Sequence, residues 1–342
     1  TQRLIANHMA VAATEAGFAN CGNIDIDSTV QEANMTYPTQ AKMLAKLAVL
    51  SKKIADHVTN HVTDFFHKRK VHVFSVDLKK IKAMYRDFVF NSKKYSDTEK
   101  KYKLQNLVQA VAPVVCAAKS ASKNLLRWVV DLPWNIKRSI NQMLDVGEPY
   151  LDNLARNLYL EANNKLSLSL HLGDVACFNK GKLHKNYEFG RAYQLMRLGG
   201  NFAMVLGNTD VRMHDKYSIN KMIKMHQDYF GVNAIESATA DKGYYSSSNE
   251  DLLLMAGVKE VGIARPGNIK KGPLHSAEAV EKLQNRRSGI EPIIGHIKHK
   301  GQMGRSRMKS DKTTLSAGYS SVLGFNLRQI IRYQAGKVEK VA

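Results

Sequence analysis

Residues Ile24 to Thr39 read I-D-I-D-S-T-V-Q-E-A-N-M-T-Y-P-T. Ile24 and Ile26 alternate with Asp25 and Asp27, the period of a half-buried strand, and Ser28 and Thr29 carry the pattern toward Val30. Both carboxylates therefore face one side of a short strand. Negative charge beside a core is costly without a cationic partner, so that side must hold a basic side chain or a metal ion.

Two later stretches supply matching acids. In A-T-A-D-K-G-Y-Y-S-S-S-N-E-D-L-L-L-M-A-G, a short run ending at Ala240 delivers Asp241 into a Lys-Gly-Tyr turn, and a helix is expected from near Ser248. Asp241 then stands at the carboxyl end of a strand, where open α/β sheets bind their ligands. In R-R-S-G-I-E-P-I-I-G-H-I-K-H-K, Ile290, Ile293, Ile294 and Ile297 make one apolar helical stripe, while Glu291, Gly295 and Lys298 fall on another face. Glu291 is expected to look away from the core.

Four segments in order, D-S-T-V-Q-E-A-N-M-T-Y-P-T, K-G-K-L-H-K-N-Y-E-F-G, A-D-K-G-Y and I-E-P-I-I-G-H-I-K, resemble the successive motifs of a bacterial insertion-sequence transposase of the DDE type. Any one of them is a weak signal; four in order, within a similarity running from about Ile24 to about Tyr333, are a strong one. The resemblance implies an α/β fold with a ribonuclease-H-like catalytic core, a mixed sheet with flanking helices, interrupted by a large helical insertion after the first strand. It also implies that Asp27, Asp241 and Glu291 form the catalytic triad and hold two Mg²⁺ ions, with Mn²⁺ a possible substitute. One departure is Gln40, where the family motif often carries an acid after Pro-Thr.

The charge balance agrees with such a partner. Fifty-one Lys and Arg against 30 Asp and Glu give a formal charge of +21, and the isoelectric point is near 9.7. That excess is an electrostatic footprint for a polyanion, since neutralising phosphates releases counterions. Nucleic acid is the expected partner and a membrane is not, because no apolar run approaches the roughly 18 residues of a spanning helix. Cys21, Cys116 and Cys177 are odd in number and far apart, which suggests neither a disulfide framework nor a zinc site and points to a reducing cytoplasm; the resemblance implies a bacterial, nucleoid-associated one. The chain opens on Thr1 without a signal-peptide pattern and is expected to be a fragment, in which most of any preceding DNA-recognition segment is missing.

Along the chain, a lead helix from about Leu4 to Ala19 feeds the first strand, and together they form a segment 1–38. Met43, Leu44, Leu47, Leu50, Ile54, Val58, Val62 and Phe65 then recur at helical spacing, and further helices are expected over Leu104–Lys119, Asn124–Val130 and Tyr150–Leu160. Residues 39–164 read as a helical insertion. From Lys165 the period returns to two: L-S-L-S-L-H-L-G, Tyr187–Arg197 and Phe202–Gly207 read as strands of an antiparallel meander, with turns at Asn179-Lys180-Gly181 and Gly199-Gly200-Asn201. A helix over Asp215–Tyr229, a strand ending at Asp241, a helix over Asn249–Met255 and a strand over Val258–Ala264 follow in β-α-β manner. Arg265–Pro273 is a basic Gly/Pro loop, and the rest from Ser276 is mostly helical. The remainder of the core spans 165–335, with a tail at 336–342.

Each site residue has a plainer reading. Asp25 and Asp27 can be solvated acids at a strand edge; the D-S-T motif selects Asp27, with Asp25 the lesser candidate. Asp241 can serve turn chemistry alone, since Asp-Lys-Gly is an ordinary turn sequence. Ser288-Gly289-Ile290-Glu291 matches a capping box, but Pro292 opposes it: a helix that begins at Pro292 puts proline where its missing N–H costs nothing and leaves Glu291 available. The basic run after Glu291, with Lys298, Lys300, Arg305 and Arg307, is expected to bind DNA phosphates rather than only to solvate a face. Lys270 and Lys271 in the Gly/Pro loop, and Lys180 and Lys182, where a lysine-bearing hairpin and a DNA rail look alike, are further candidates. The expected function is DNA transposition by strand cleavage and 3′-OH strand transfer, by a homodimer or higher assembly on DNA. A nuclease that only cuts and a catalytically inactive DNA-binding relic are the alternatives.

Overall fold

Strand β1 (Asn20–Glu32) is the axis of a six-stranded mixed sheet in a computed structural model that describes residues 1–62, 71, 73–129, 131–182, 185–207, 214–265 and 277–341. It is longer at both ends than the Ile24–Val30 core of the sequence pattern. On one side it pairs antiparallel with β3 (Lys185–Gly199), Asp27 lying opposite Leu195; on the other it pairs parallel with β5 (Ser237–Ala240), Ile26 opposite Ala240. Strand β6 (Glu260–Ile263) extends the parallel side beyond β5. The far edge of β3 pairs antiparallel with β2 (Ala176–Lys182) along its first part and with β4 (Phe202–Gly207) along its second.

The connections explain this mixture. Gly200 and Asn201 join β3 to β4 with φ of +84° and +63°, the double positive φ of a tight hairpin. A side chain at Gly200 would put its Cβ 2.0 Å from the Phe18 carbonyl oxygen, so only glycine fits there. Parallel strands need crossovers, and two helices supply them: α7 (Ile219–Phe230) before β5, and α8 (Ser247–Met255) between β5 and β6.

The two sheet faces divide the side chains of β1 by parity. Ile24 and Ile26 join Met196, Leu198, Met222 and Ile223 in one apolar cluster, to which α1 (Gln2–Glu15) adds Ala10 and Ala13. On the opposite face Tyr193 and Leu195 pack against Ile290, Ile293 and Ile297 of α10 (Ile290–His299) and Val322 and Phe325 of α11 (Asp311–Val341). The alternation that hides the isoleucines on the first face puts Asp25 and Asp27 on the second. There they meet α9 (Ala277–Arg287), which lies against β5, β6 and β1.

The chain forms two compact units, 1–34 with 174–342, and 35–173. The second is helical: α2 (Gln40–His61), α3 (Leu78–Asn91), α4 (Asp97–Trp128), α5 (Trp134–Gln142) and α6 (Glu148–Tyr159), with a π-helical turn at Met143–Gly147. Thr39 caps α2, its hydroxyl accepting from the Lys42 N–H at 3.2 Å. Met43, Leu44, Leu47, Leu50, Ile54 and Val58 form the buried stripe expected of α2, while Phe65 lies outside the described residues.

Three details of the sequence reading are corrected. Leu166–Gly173 is not a strand. Leu170 is buried in the core of the helical unit and Leu166 packs against it, so the alternation there buries one side of an irregular segment with no strand paired to it among the described residues. The helices expected over Leu104–Lys119 and Asn124–Val130 are one, α4, because Ala118, Ala121 and Ser122 continue the buried stripe with side chains too small to register as apolar periodicity. Finally, Asn179–Gly181 lies within β2 rather than forming its turn; residues 183–184, between β2 and β3, lie outside the described residues. Among the described residues no helix is long and apolar enough to cross a membrane.

Candidate active site on the central strand

Asp25 is 3% exposed and its carboxylate is fully engaged. It accepts from Arg197 Nη1 at 2.8 Å, Arg286 Nε at 2.9 Å and Thr239 Oγ1 at 2.7 Å. Gly289 makes room for this, since a Cβ there would stand 2.5 Å from Arg197 Nη1. The basic partners that the I-D-I-D pattern demands therefore gather on Asp25.

Asp27 has a different setting. Its carboxylate accepts from the Ser28 N–H at 2.7 Å, and Arg287 Nη1 stands 3.5 Å from its other oxygen. Burial pushes its carboxyl up to about 6; the Ser28 amide and Arg287 pull it down, while the Asp241 and Asp215 carboxylates push it up further. A half-buried carboxylate with an elevated proton affinity and acidic neighbours is short of positive charge.

Asp241 follows directly on β5. The parallel register pairs Ile26 with Ala240, and Asp27 and Asp241 are the next residues of the two strands. The Asp241 backbone does serve a turn, its carbonyl accepting from Tyr244 N–H at 2.9 Å in the 3₁₀ turn Lys242–Tyr244. Its side chain makes no cap hydrogen bond. Turn chemistry thus explains the position of the residue and leaves its carboxylate for another use.

Asp215 was not singled out by the sequence, where it reads as an acid at the start of a helix. It sits instead in a 3₁₀ turn, Asp215–Tyr217, before α7. Its carboxylate accepts from Ser28 Oγ and from Gln194 Nε2, each at 3.2 Å. Gln194 faces Ser28 across the β1–β3 ladder and accepts in turn from the buried Tyr244 hydroxyl. No local pattern marks Asp215, because what places it is the contact of its turn with two strands remote in sequence.

Glu291 lies in the first turn of α10, its side chain 63% exposed. The helix begins at Ile290 rather than Pro292, so Pro292 still falls where backbone N–H groups have no intrahelical partner. The capping box does not form: Ser288 Oγ donates to the Asn285 carbonyl, and Arg287 Nη2 stands 3.5 Å from Glu291 Oε1. Arg287, which the sequence reading passed over, therefore lies between Asp27 and Glu291, and its buried Nε has no hydrogen-bond partner. The structure brings Asp27 and Asp241 together and, among the described residues, links Glu291 to Asp27 through this guanidinium. Among the described residues no three His, Cys, Asp or Glu side chains are grouped as a metal cluster.

Of the basic candidates, Lys298 is on α10, seven residues after Glu291 and on the same helical face. Lys300, Arg305 and Arg307 are exposed in the segment that follows. That segment is tied to the end of β1: Glu32 N–H donates to the Gly304 carbonyl at 3.0 Å and Ser306 N–H to the Glu32 carbonyl at 2.7 Å. The backbones of Lys180 and Lys182 are in β2; their side chains, and Lys270 and Lys271 entirely, lie outside the described residues. No protein-family model and no curated protein matches the chain.

Proposed function

We propose that the sheet-bearing unit is the catalytic core of a DDE-type DNA transposase with a ribonuclease-H-like fold. The observation that carries the reading is the pair Asp27 and Asp241 at neighbouring strand positions, with the Asp27 carboxyl at about 6 and short of counter-charge. Two further features support it. The four sequence motifs fall on β1, on the β2–β3 region, at the end of β5 and on α10, and the sheet joins β1, β2 and β4 to β3 through antiparallel pairings, and β5 to β1 and β6 through parallel ones.

The donor set suits Mg²⁺, which prefers hard carboxylate oxygens, and a half-buried aspartate with two acidic neighbours and its arginine only at 3.5 Å is satisfied by a divalent cation. Asp27 and Asp241 would hold the ions, with Glu291 as the third ligand. Two such ions supply electrostatic stabilisation of the attacking and leaving oxygens of an in-line phosphoryl displacement. The protein's own residues do the rest. Ser28, Gln194 and Tyr244 fix Asp215 and the strand around Asp27; Asp25, neutralised by Arg197 and Arg286, ties α9 to β1 and β5. Lys298 and the exposed basic residues after it provide phosphate contacts for DNA in either the cleavage or the strand-transfer step.

A labelled-DNA assay tests the reading. With element-end DNA taken from the gene's own flanks, the protein should cut in Mg²⁺ or Mn²⁺, join the freed 3′-OH to target DNA, and do neither in EDTA or as Asp27→Asn. Cutting without joining would assign a nuclease. One observation favours the inactive relic, namely Arg287 standing between Asp27 and Glu291: metal binding without any turnover would select it.

A further inference from the structure

A second site lies on the same sheet face as Asp27, at the far end of β1, and uses none of the acidic residues. A cavity of about 640 Å³, the size range of small-ligand pockets, opens between Gln31, the segment Lys300–Met308 and one stripe of α11. Lys300, Arg305, Arg307 and Arg328 line it, and none of its described lining residues is acidic. The helix stripe is Thr313, Ser316, Ser320, Ser321 and Gly324 at helical spacing, small side chains that leave the space open and present hydroxyls to it.

Two buried donors in this cavity have no acceptor. Gln31 is 0% exposed; its Oε1 accepts from the Tyr193 hydroxyl at 3.2 Å, and its Nε2 is buried without a hydrogen-bond partner. Arg328 has a buried Nη2 that is likewise unpartnered, and its guanidinium folds back to within 3.6 Å of where a Gly324 Cβ would be. Buried donors are almost always satisfied in folded proteins, and an orphan guanidinium N–H is the costlier kind. A multi-oxygen anion answers both donors and the surrounding positive charge together, and arginine forks match phosphate geometry.

We infer that this cavity is a phosphate-recognition pocket that takes a phosphate-bearing group of about nucleotide size, with Arg328 and Gln31 as its inner donors. The inference stands apart from the reading of Asp27 and Asp241, so either can fail without the other.

The test uses the full chain at physiological salt and titrates pyrophosphate by calorimetry. Saturable one-to-one binding is expected. Arg328→Gln should weaken it about tenfold or more, as removal of a charge-assisted contact does. Ser320→Asp is the safeguard against misfolding: Ser320 is exposed, so the variant should fold normally yet repel the anion to a similar degree. Asp27→Asn and Lys224→Gln, the latter an exposed lysine on α7, should leave binding unchanged. Absent saturable binding, or equal weakening by Lys224→Gln, would overturn the pocket, because a general attraction to a +21 chain would then explain everything. An oligonucleotide that displaces pyrophosphate assigns the pocket to a DNA phosphate; one that leaves it bound assigns a free phosphate-bearing ligand.

Discussion

Asp25 and Asp27 share one face of β1 two residues apart, yet Asp25 is held by Arg197 and Arg286 within 2.9 Å while Asp27 has its arginine only at 3.5 Å. One acid is neutralised within the fold and the other is left with two more carboxylates for neighbours. The structural and the chemical roles of the I-D-I-D pattern are thereby divided between its two aspartates.

For Asp27 the pH dependence has a definite sign. Its folded value of about 6 exceeds the ordinary aspartate value, so the native state binds the extra proton and stability falls as pH rises from about 4 through 6. Asp27→Asn should therefore abolish metal-dependent cleavage while raising stability by about 1–3 kcal/mol at pH 8 and by little at pH 4. Denaturant melts at the two pH values check this; an Asn variant less stable at pH 8 than the parent would contradict it.

Asp25→Ala should behave in the opposite way. It leaves Arg197 and Arg286 without their shared carboxylate in a largely buried place, which costs on the order of 3–5 kcal/mol. Thermal unfolding should show the loss at neutral pH, before any question of activity arises.

Millimolar Mn²⁺ should raise the melting temperature of the parent protein, since an ion bound only by the folded site stabilises it by mass action and relieves the repulsion among Asp27, Asp241 and Asp215. Asp27→Asn and Asp241→Asn should each lose most of that shift. Equal shifts in all three proteins would place the ion elsewhere.

Lys298→Ala should weaken DNA binding across sequences and lower the slope of log affinity against log salt by about one unit, as one lost phosphate contact does. High DNA concentration should restore part of its activity. Glu291→Gln should bind DNA like the parent and stay inactive at any DNA concentration, so the two variants on one face of α10 separate positioning from chemistry.

Arg287→Gln removes the one cation among the described residues that draws the Asp27 carboxyl down, so its titration should move above 6. NMR titration of the Asp27 carboxyl carbon would read the change, and a value that stays put would mean that Arg287 is too distant to matter.

Sequence alone determined much of this protein, because local pattern and burial agree over its main elements. The period-two run at Ile24–Asp27, the buried stripe of α2 and the isoleucine stripe of α10 all follow from side-chain spacing against one apolar face, and the Gly200-Asn201 hairpin follows from residues that accept positive φ. Spacing did not single out Asp27, Asp241 and Glu291; the resemblance of four motifs in order did. The failures of spacing are equally physical: Leu166–Leu172 alternates without a strand partner among the described residues, and Ala118 to Ser122 buries a stripe without large apolar side chains. Only tertiary structure decided which aspartate of β1 is neutralised, since Arg197 and Arg286 come from β3 and α9, far along the chain. It alone brought Asp215 beside Ser28, set Arg287 between Asp27 and Glu291, and closed Gln31 and Arg328 around one cavity. Charges interact through space at distances that the order of residues does not encode, so their pairing waits on the packing of the elements that carry them.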